Sequence, residues 1–276
     1  MSYLETDGPR LHIQQLNPDG HETIILLHGL LVGSLAMWYF TVAPLLAENY
    51  RVIMYDLRSH GKSEKVDSGF DIKTMVKDLE AVIAHFKLKN VSIAGHSYGA
   101  LIALNYALNN PGRVKKLAII EAPLPPSDMR EMEMFLNSSP DEMVAALPEW
   151  MQSLVISGKR QANKLLQSLS FLAFKSTLFS DLEKETDLEN PVLNKLGVPT
   201  LLLYGAHSSC RPCGLRLVNE IPDSTLVTLQ GGHYLPVECA ADVNKQLMEF
   251  FCGNNQSKWH RFSLSVSRKR RQNDCL

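Results

Sequence analysis

The chain has 276 residues, 45% of them hydrophobic, enough for one large domain with a buried core and an insertion. The formal charge is −1 but unevenly placed: from Gly253 onward six bases face one acid, so the tail carries +5 and the rest −6. An acidic body argues against nucleic-acid binding there, and no apolar run approaches the roughly 20 residues of a membrane span. The stretch Met1 to Gly20 is polar and broken by Asp7-Gly8 and Pro18-Asp19-Gly20, so no leader is read. Five cysteines without regular spacing suit a reducing compartment, and the expectation is a soluble, cytoplasmic protein.

In chain order, Tyr3 to Leu16 reads as a hairpin around Asp7-Gly8. Thr23–Leu27, Arg51–Tyr55 and Val91–Ala94 are short apolar runs rich in β-branched residues, the mark of buried strands. Between them lie helical stretches, Ser34–Asn49 and Ile72–Lys87; the second repeats Met75, Leu79, Val82, Ile83 and Phe86 at helical spacing. Val114–Ile120 is the next strand. The rhythm then breaks: Pro123 to about Pro191 is helix-compatible throughout, over 128–137, 140–158, 160–174 and 178–189. Alternation resumes with Pro199–Tyr204 (strand), Leu215–Ile221 (helix), Thr225–Leu229 (strand) and Ala241–Phe251 (helix). Such alternation predicts an α/β fold, a mostly parallel sheet with helices on both faces. After Cys252, Gly253-Asn254-Asn255-Gln256-Ser257 reads as a linker, and the basic run Arg268-Lys269-Arg270-Arg271 as part of a solvated tail.

The most informative stretch is Gly95-His96-Ser97-Tyr98-Gly99, set between the strand Val91–Ala94 and a run of good helix formers from Ala100 to Leu108. A serine is thereby placed on a sharp strand-to-helix turn, with glycines where strand and helix approach too closely for a Cβ. Serine is a poor nucleophile unless a base accepts its proton and an acid orients that base. Of nine histidines, His233 is the candidate base, because it follows the strand Thr225–Leu229 on a Gly231-Gly232 loop. His96 is expected to pack under the turn, and His28 and His60 to be structural. Two backbone N–H groups must hold the developing oxyanion; those of Tyr98 and Leu30 are the candidates.

Three further motifs accompany this elbow in order. His28-Gly29 ends the strand Thr23–Leu27, Asp56-Leu57-Arg58-Ser59-His60-Gly61-Lys62-Ser63 follows Arg51–Tyr55, and Gly231-Gly232-His233 lies near the end. With them, residues 1 to about 252 resemble an α/β-hydrolase of the small, cofactor-free, serine-dependent, esterase- or thioesterase-like kind. The resemblance implies the α/β-hydrolase fold, with a helical cap inserted after the sixth strand. Its units would be a core of 1–122 and 192–252, a cap of 123–191 and a tail of 253–276. Ser59 departs from the family turn, where glycine is usual.

The acid departs as well. The family pattern puts it three residues past Gly205, where this chain has Ser208, and no Asp or Glu occurs between Gly205 and Asn219. Some thioesterase relatives carry the acid one strand earlier, which here is Glu121, at the carboxyl end of Val114–Ile120. Two accounts therefore stand: a Ser97–His233–Glu121 triad, or a Ser-His dyad with Ser208 or a water in the acid's place.

Cys210-Arg211-Pro212-Cys213 lacks the further ligands of a zinc site and reads as two ordinary loop cysteines. Gly29-x-x-x-Gly33 lacks the Lys-Ser/Thr end of a phosphate loop. Neither a metal nor a cofactor is expected. The presumed cap is rich in methionine and aromatics, Trp150 among them, and Met37 and Trp38 follow the oxyanion loop; these are the expected substrate contacts. The expected function is hydrolysis of an ester, thioester or lactone with an apolar acyl or ring-bearing part, as a small molecule or a carrier-bound acyl chain. A lyase or cyclase on the same fold, and a hydrolase-fold ligand receptor with little turnover, are the alternatives.

Overall fold

The computed structural model describes residues 2–125, 152 and 159–253, with backbone alone at 159–163. Its centre is an eight-stranded sheet in the order β1-β2-β4-β3-β5-β6-β7-β8. The strands are β1 (Ser2–Leu4), β2 (Leu11–Leu16), β3 (Thr23–Leu27), β4 (Arg51–Tyr55), β5 (Val91–His96), β6 (Val114–Ile120), β7 (Thr200–Gly205) and β8 (Ser224–Leu229). Strands β1 and β2 form the expected hairpin, Tyr3 opposite His12, and β2 pairs antiparallel with β4. From β4 to β8 all pairings are parallel.

Because strand side chains alternate between faces, each apolar strand feeds two core layers. Ile25, Leu27, Ile53, Tyr55, Ile93, Leu117, Ile119, Leu202 and Tyr204 pack on one face with α3 (Ile72–His85) and α4 (Tyr98–Asn109). Ile24, Leu26, Val52, Met54, Ala94, Ala118, Ile120, Leu201 and Leu203 face the other layer. There they meet the short α1 (Ala36–Tyr39), α2 (Ala43–Leu46) and the last helix (Ala240–Cys252).

Some helix expectations are corrected. The stretch 34–49 is two short helices rather than one, the second opening on Ala43-Pro44, because proline is tolerated only in a first turn. Between β6 and β7 the described helices are α5 (Lys159–Phe174), α6 (Leu178–Leu182) and α7 (Asn190–Leu193). The expected helix over 178–189 stops at Leu182, and Pro191 starts the next. The expected helices over 128–137 and 140–158, the linker beyond Gly253 and the basic tail lie outside the described residues. Helix α8 (Arg211–Glu220) starts before the expected Leu215, with Pro212 in its first turn. Cys213 is therefore helical and Cys210 is the N-cap residue, correcting the loop assignment. The chain ends in α9 (Leu235–Glu238) and α10 (Ala240–Cys252). Among the described residues no helix is long and apolar enough to cross a membrane.

The segment before β7 is tied to the stretch that leads into α3. Asp181 Oδ2 accepts from Phe70 N (3.0 Å), Glu185 Oε1 from Ile72 N (2.6 Å), and Thr177 N donates to Asp67 O (2.7 Å). Leu172, Leu178 and Leu182 are buried in the same core as Phe70 and Tyr98, whose hydroxyl donates to Phe70 O (2.8 Å).

Candidate active site

Strand β5 ends at His96 and α4 starts at Tyr98, so Ser97 alone makes the turn, with φ 54° and ψ −125°. A non-glycine residue there carries strain of order 1–3 kcal/mol, held by the surroundings. Those surroundings are tight. A Cβ on Gly95 would come within 2.3 Å of Gly99 O, and one on Gly99 within 2.4 Å of His28 O. Ser97 N donates to Ile120 O at the end of β6 (2.8 Å), which pins the turn to the neighbouring strand.

One strand over, the geometry repeats. Glu121 is the first residue past β6, has φ 57°, and donates its N–H to Leu203 O of β7 (3.0 Å). Its side chain is fully buried. Oε1 accepts from Gly205 N, and Oε2 accepts from the Ser208 hydroxyl and lies 3.2 Å from His233 Nδ1. His233 Nε2 in turn lies 3.0 Å from Ser97 Oγ. Ser97, His233 and Glu121 thus form one hydrogen-bonded chain across the carboxyl ends of β5, β6 and β8, where sites on such sheets are built.

Both residues weighed as the acid lie in this cluster. Ser208 does not stand in for the carboxylate; it holds it. With Gly205 N and Ser208 as donors, a carboxylate enclosed by protein retains hydrogen-bond partners, without which burying it would be prohibitive. Gly205 is sterically required, since a Cβ would meet Gly231 O at 2.3 Å, where the end of β7 passes under the His233 loop.

His96 packs beneath the turn as expected, and its Nε2 donates to His233 O (2.7 Å), fixing the backbone of the candidate base. Burial pushes the His96 pKa down to about 3, so it is a neutral donor. For His233 burial pulls the pKa down, but hydrogen bonds with Cys210 and to the Glu121 carboxylate, together with the nearby negative charge of Glu121, outweigh it and hold it above the ordinary value. Cys210 was not singled out as a site residue from sequence. Its Sγ lies 3.6 Å from His233 Nδ1, and only its N-cap position on α8 brings it there.

The loop expected to face the oxyanion is built by His28. Nδ1 donates to Gly29 O (2.7 Å), and Nε2 accepts from Leu57 N (2.9 Å). This keeps Gly29 close: a Cβ there would be 2.9 Å from Ser97 Cβ. Leu30 follows immediately, and Tyr98, as the first residue of α4, has an N–H with no acceptor inside the helix.

The expected substrate contacts fare differently. Trp38 is fully buried in the second core layer with Leu35, Val42 and Leu46, a correction to its reading as a pocket wall: a side chain with no exposed surface packs rather than faces a ligand. Met37 is partly buried against the same layer, on α1, which packs against α9 just after His233. Trp150 lies outside the described residues. Ser59 has φ 62°, which explains the usual glycine; its hydroxyl compensates by donating to Val66 O (2.7 Å) and accepting from Val66 N (2.9 Å).

Comparison with known proteins agrees with this architecture. Residues 22–185 match the family model described as alpha/beta hydrolase fold. The chain is 30% identical over 254 residues to a putative non-heme chloroperoxidase of Synechocystis sp., covering 83% of this chain and 91% of the relative. It is 27% identical to a 2-hydroxy-6-oxononadienedioate/2-hydroxy-6-oxononatrienedioate hydrolase of Cupriavidus pinatubonensis, over 84% of this chain and 87% of that one. Among solved structures, the enol-lactonase from Burkholderia xenovorans LB400 superposes with a TM-score of 0.73 at 20% identity, covering 91% of this chain and all of that chain. With more than half its length matched by the family model and its sheet, turn and loops arranged accordingly, the chain belongs to the alpha/beta-hydrolase fold family.

Proposed function

We propose that the protein is a serine hydrolase that cleaves an ester, thioester or lactone of an apolar acyl or ring-bearing compound through an acyl-enzyme on Ser97. The observation that carries this reading is the unbroken chain from Ser97 Oγ to His233 Nε2 (3.0 Å) and from His233 Nδ1 to Glu121 Oε2 (3.2 Å). A carboxylate at Nδ1 keeps the proton on that nitrogen, so that the neutral form of His233, the form that catalyses, has Nε2 as its acceptor. His233 then takes the hydroxyl proton as Ser97 attacks the carbonyl carbon. The N–H groups of Leu30 and Tyr98 stabilise the oxygen that becomes negative. His233 returns the proton to the leaving group, and in the second half draws one from water, which releases the acid and restores Ser97.

Residues 123–191 act in this reading as a cap over the core of 1–122 and 192–252, and the fixed bonds from Thr177, Asp181 and Glu185 to the 67–72 stretch support that role. The apolar preference draws support from the partly buried Met37 on α1, the helix that packs against α9 just after His233. The substrate is a small molecule or an acyl chain on a carrier, no cofactor takes part, and the setting is cytoplasmic.

The test is labelling of the full chain by a fluorophosphonate, with peptide mapping, beside hydrolysis of short-chain esters and thioesters in water enriched in ¹⁸O. The expected outcome is label on Ser97 and one solvent oxygen in the acid product. Turnover without solvent oxygen in the product would sink hydrolysis in favour of a lyase or cyclase, and absence of both label and turnover would favour a receptor.

A further inference from the structure

The side of His233 that faces away from Ser97 holds a second set of donors. Cys210 Sγ, His233 Nδ1 and Glu121 Oε2 converge there from the α8 N-cap, the β8–α9 loop and the end of β6, all within 4.8 Å of one another. The hydrolytic reading uses the histidine and the carboxylate but gives the thiol no role.

Two of the three donor spacings match those of a tetrahedral metal site, and the third is within 4.8 Å. Zinc binds thiolate at about 2.3 Å and imidazole at about 2.0–2.1 Å, so two such ligands at a tetrahedral angle stand about 3.6 Å apart. Sγ and Nδ1 are 3.6 Å apart. The same bond lengths put a nitrogen and a carboxylate oxygen about 3.4 Å apart; Nδ1 and Oε2 are 3.2 Å apart. Mixed sulfur, nitrogen and oxygen donors suit Zn²⁺ rather than Mg²⁺ or Ca²⁺, which take oxygen. Charge fits too: one thiolate and one carboxylate neutralise a divalent ion, which a site this enclosed needs. Glu121 is fully buried, Cys210 is 9% exposed and the His233 side chain 15% exposed, so the donors are enclosed yet not sealed from solvent at the histidine.

We propose that Cys210, His233 and Glu121 form an inhibitory Zn²⁺ site. On binding, the Cys210 thiol gives up its proton to solvent, and sulfur, Nδ1 and Oε2 each donate a lone pair to the metal. The proton that Nδ1 carried must move to Nε2, because a neutral imidazole coordinated through Nδ1 is protonated at Nε2. Nε2 then has no lone pair for the Ser97 hydroxyl. The ion therefore does not block the nucleophile; it removes the base, so it lowers kcat and leaves Ser97 in place. Binding stands on the donor geometry alone; only the inhibition rests on the hydrolytic reading.

The experiment titrates the full chain with Co²⁺, whose bond to a thiolate gives a charge-transfer absorption, and follows Zn²⁺ by displacement of that signal. Circular dichroism checks that each variant is folded. One thiolate-bound Co²⁺ per chain is expected, lost in Cys210→Ser, retained in Cys213→Ser, and weakened about tenfold or more in Glu121→Gln. In parallel, the ratio of ester hydrolysis with and without Zn²⁺ is taken within each variant. Wild type should lose at least about tenfold in kcat at metal concentrations to which Cys210→Ser is about tenfold less sensitive. An absorption that survives Cys210→Ser, or that disappears only with Cys213→Ser, overturns the site. Binding through Cys210 without a change in kcat overturns the inhibition. If wild type shows no hydrolysis at all, the hydrolytic reading fails while the Co²⁺ titration still decides the site.

Discussion

Among the described residues, two buried carboxylates each meet a histidine at hydrogen-bond distance, and the two pairs resemble each other at first sight. Glu121 meets His233 at 3.2 Å, and Asp56 meets His12 at 2.8 Å. Each carboxylate is within 2% of full burial and each sits beside a residue forced to positive φ, Ser97 in one case and Ser59 in the other. The difference is what the far nitrogen of the imidazole does. His233 Nε2 reaches Ser97 Oγ, whereas His12 Nε2 reaches only the Gln14 amide (3.2 Å). Asp56 is also consumed by backbone: Oδ1 accepts from Leu35 N (2.8 Å) and Oδ2 from Lys62 N (2.9 Å), so it staples the 56–63 turn to the chain after the oxyanion loop. A carboxylate–imidazole pair becomes candidate chemistry when the outer nitrogen is offered a hydroxyl, and remains scaffold when it is not.

The largest effect should come from cutting the first pair at its outer end. Ser97→Ala should lower kcat by about 10⁴-fold or more with little change in melting temperature, as removal of such a nucleophile does elsewhere. Retained turnover would falsify the assignment of Ser97.

The sharper test swaps the acids. Glu121→Gln should cost about 10³–10⁴ in kcat, since the amide no longer holds the Nδ1–H tautomer. Asp56→Asn should do the opposite: lose about 3–5 kcal/mol of unfolding free energy, because an amide placed against buried donors leaves one unpaired, while the folded fraction keeps a near wild-type rate. Urea unfolding and active-site-titrated kinetics on both variants decide this. If Asp56→Asn were the catalytically dead one, the comparison above would be inverted.

A smaller effect is expected at Ser208. Ser208→Ala removes one donor from a buried carboxylate and should cost about 1.5–3 kcal/mol of stability, with a fall in kcat of about tenfold as Glu121 loosens. An unchanged rate would mean that Gly205 N alone suffices to aim Oε2.

Much of this was legible in the sequence because local rules are strict there. Gly95, Ser97 and Gly99 are the residues that a turn of this tightness permits, and the strands read as apolar runs because both faces of a parallel sheet are covered. Glu121 was legible as a candidate through the absence of any acid after Gly205 and through its place at the carboxyl end of Val114–Ile120, where some relatives carry theirs. What separates it from a surface carboxylate, the donors from Gly205 and Ser208 more than eighty residues away, is tertiary. Trp38 misled because nearness in sequence to the oxyanion loop says nothing about which face of a short helix is buried. Cys210 was hidden for a related reason: Pro212 starts α8 early, and that shift of one turn points the thiol at His233.

The histidines packed beside Asp56 differ from His233 in how they couple stability to pH. His60 is buried, its Nδ1 donating to Arg58 O (2.7 Å), with the His28 ring 5.5 Å away. Burial first, and then the proximity of His28, push its pKa down to about 3 against the pull of Arg58 O and Asp56. The unfolded chain, near 6.5, therefore takes up this proton before the folded one does. Stability is full above pH 6.5 and drains as the pH falls from there toward 3. His60→Asn keeps a donor near the Nδ1 position but cannot titrate. Its unfolding free energy should depend on pH less steeply than wild type between about pH 6 and 4, by up to roughly 1.4 kcal/mol per pH unit, one proton's worth. Urea midpoints across that range supply the measurement. Parallel slopes would mean that His60 is protonated in the folded state, and that the 56–63 turn tolerates a charge which the enclosure of His28 and His60 says it should not.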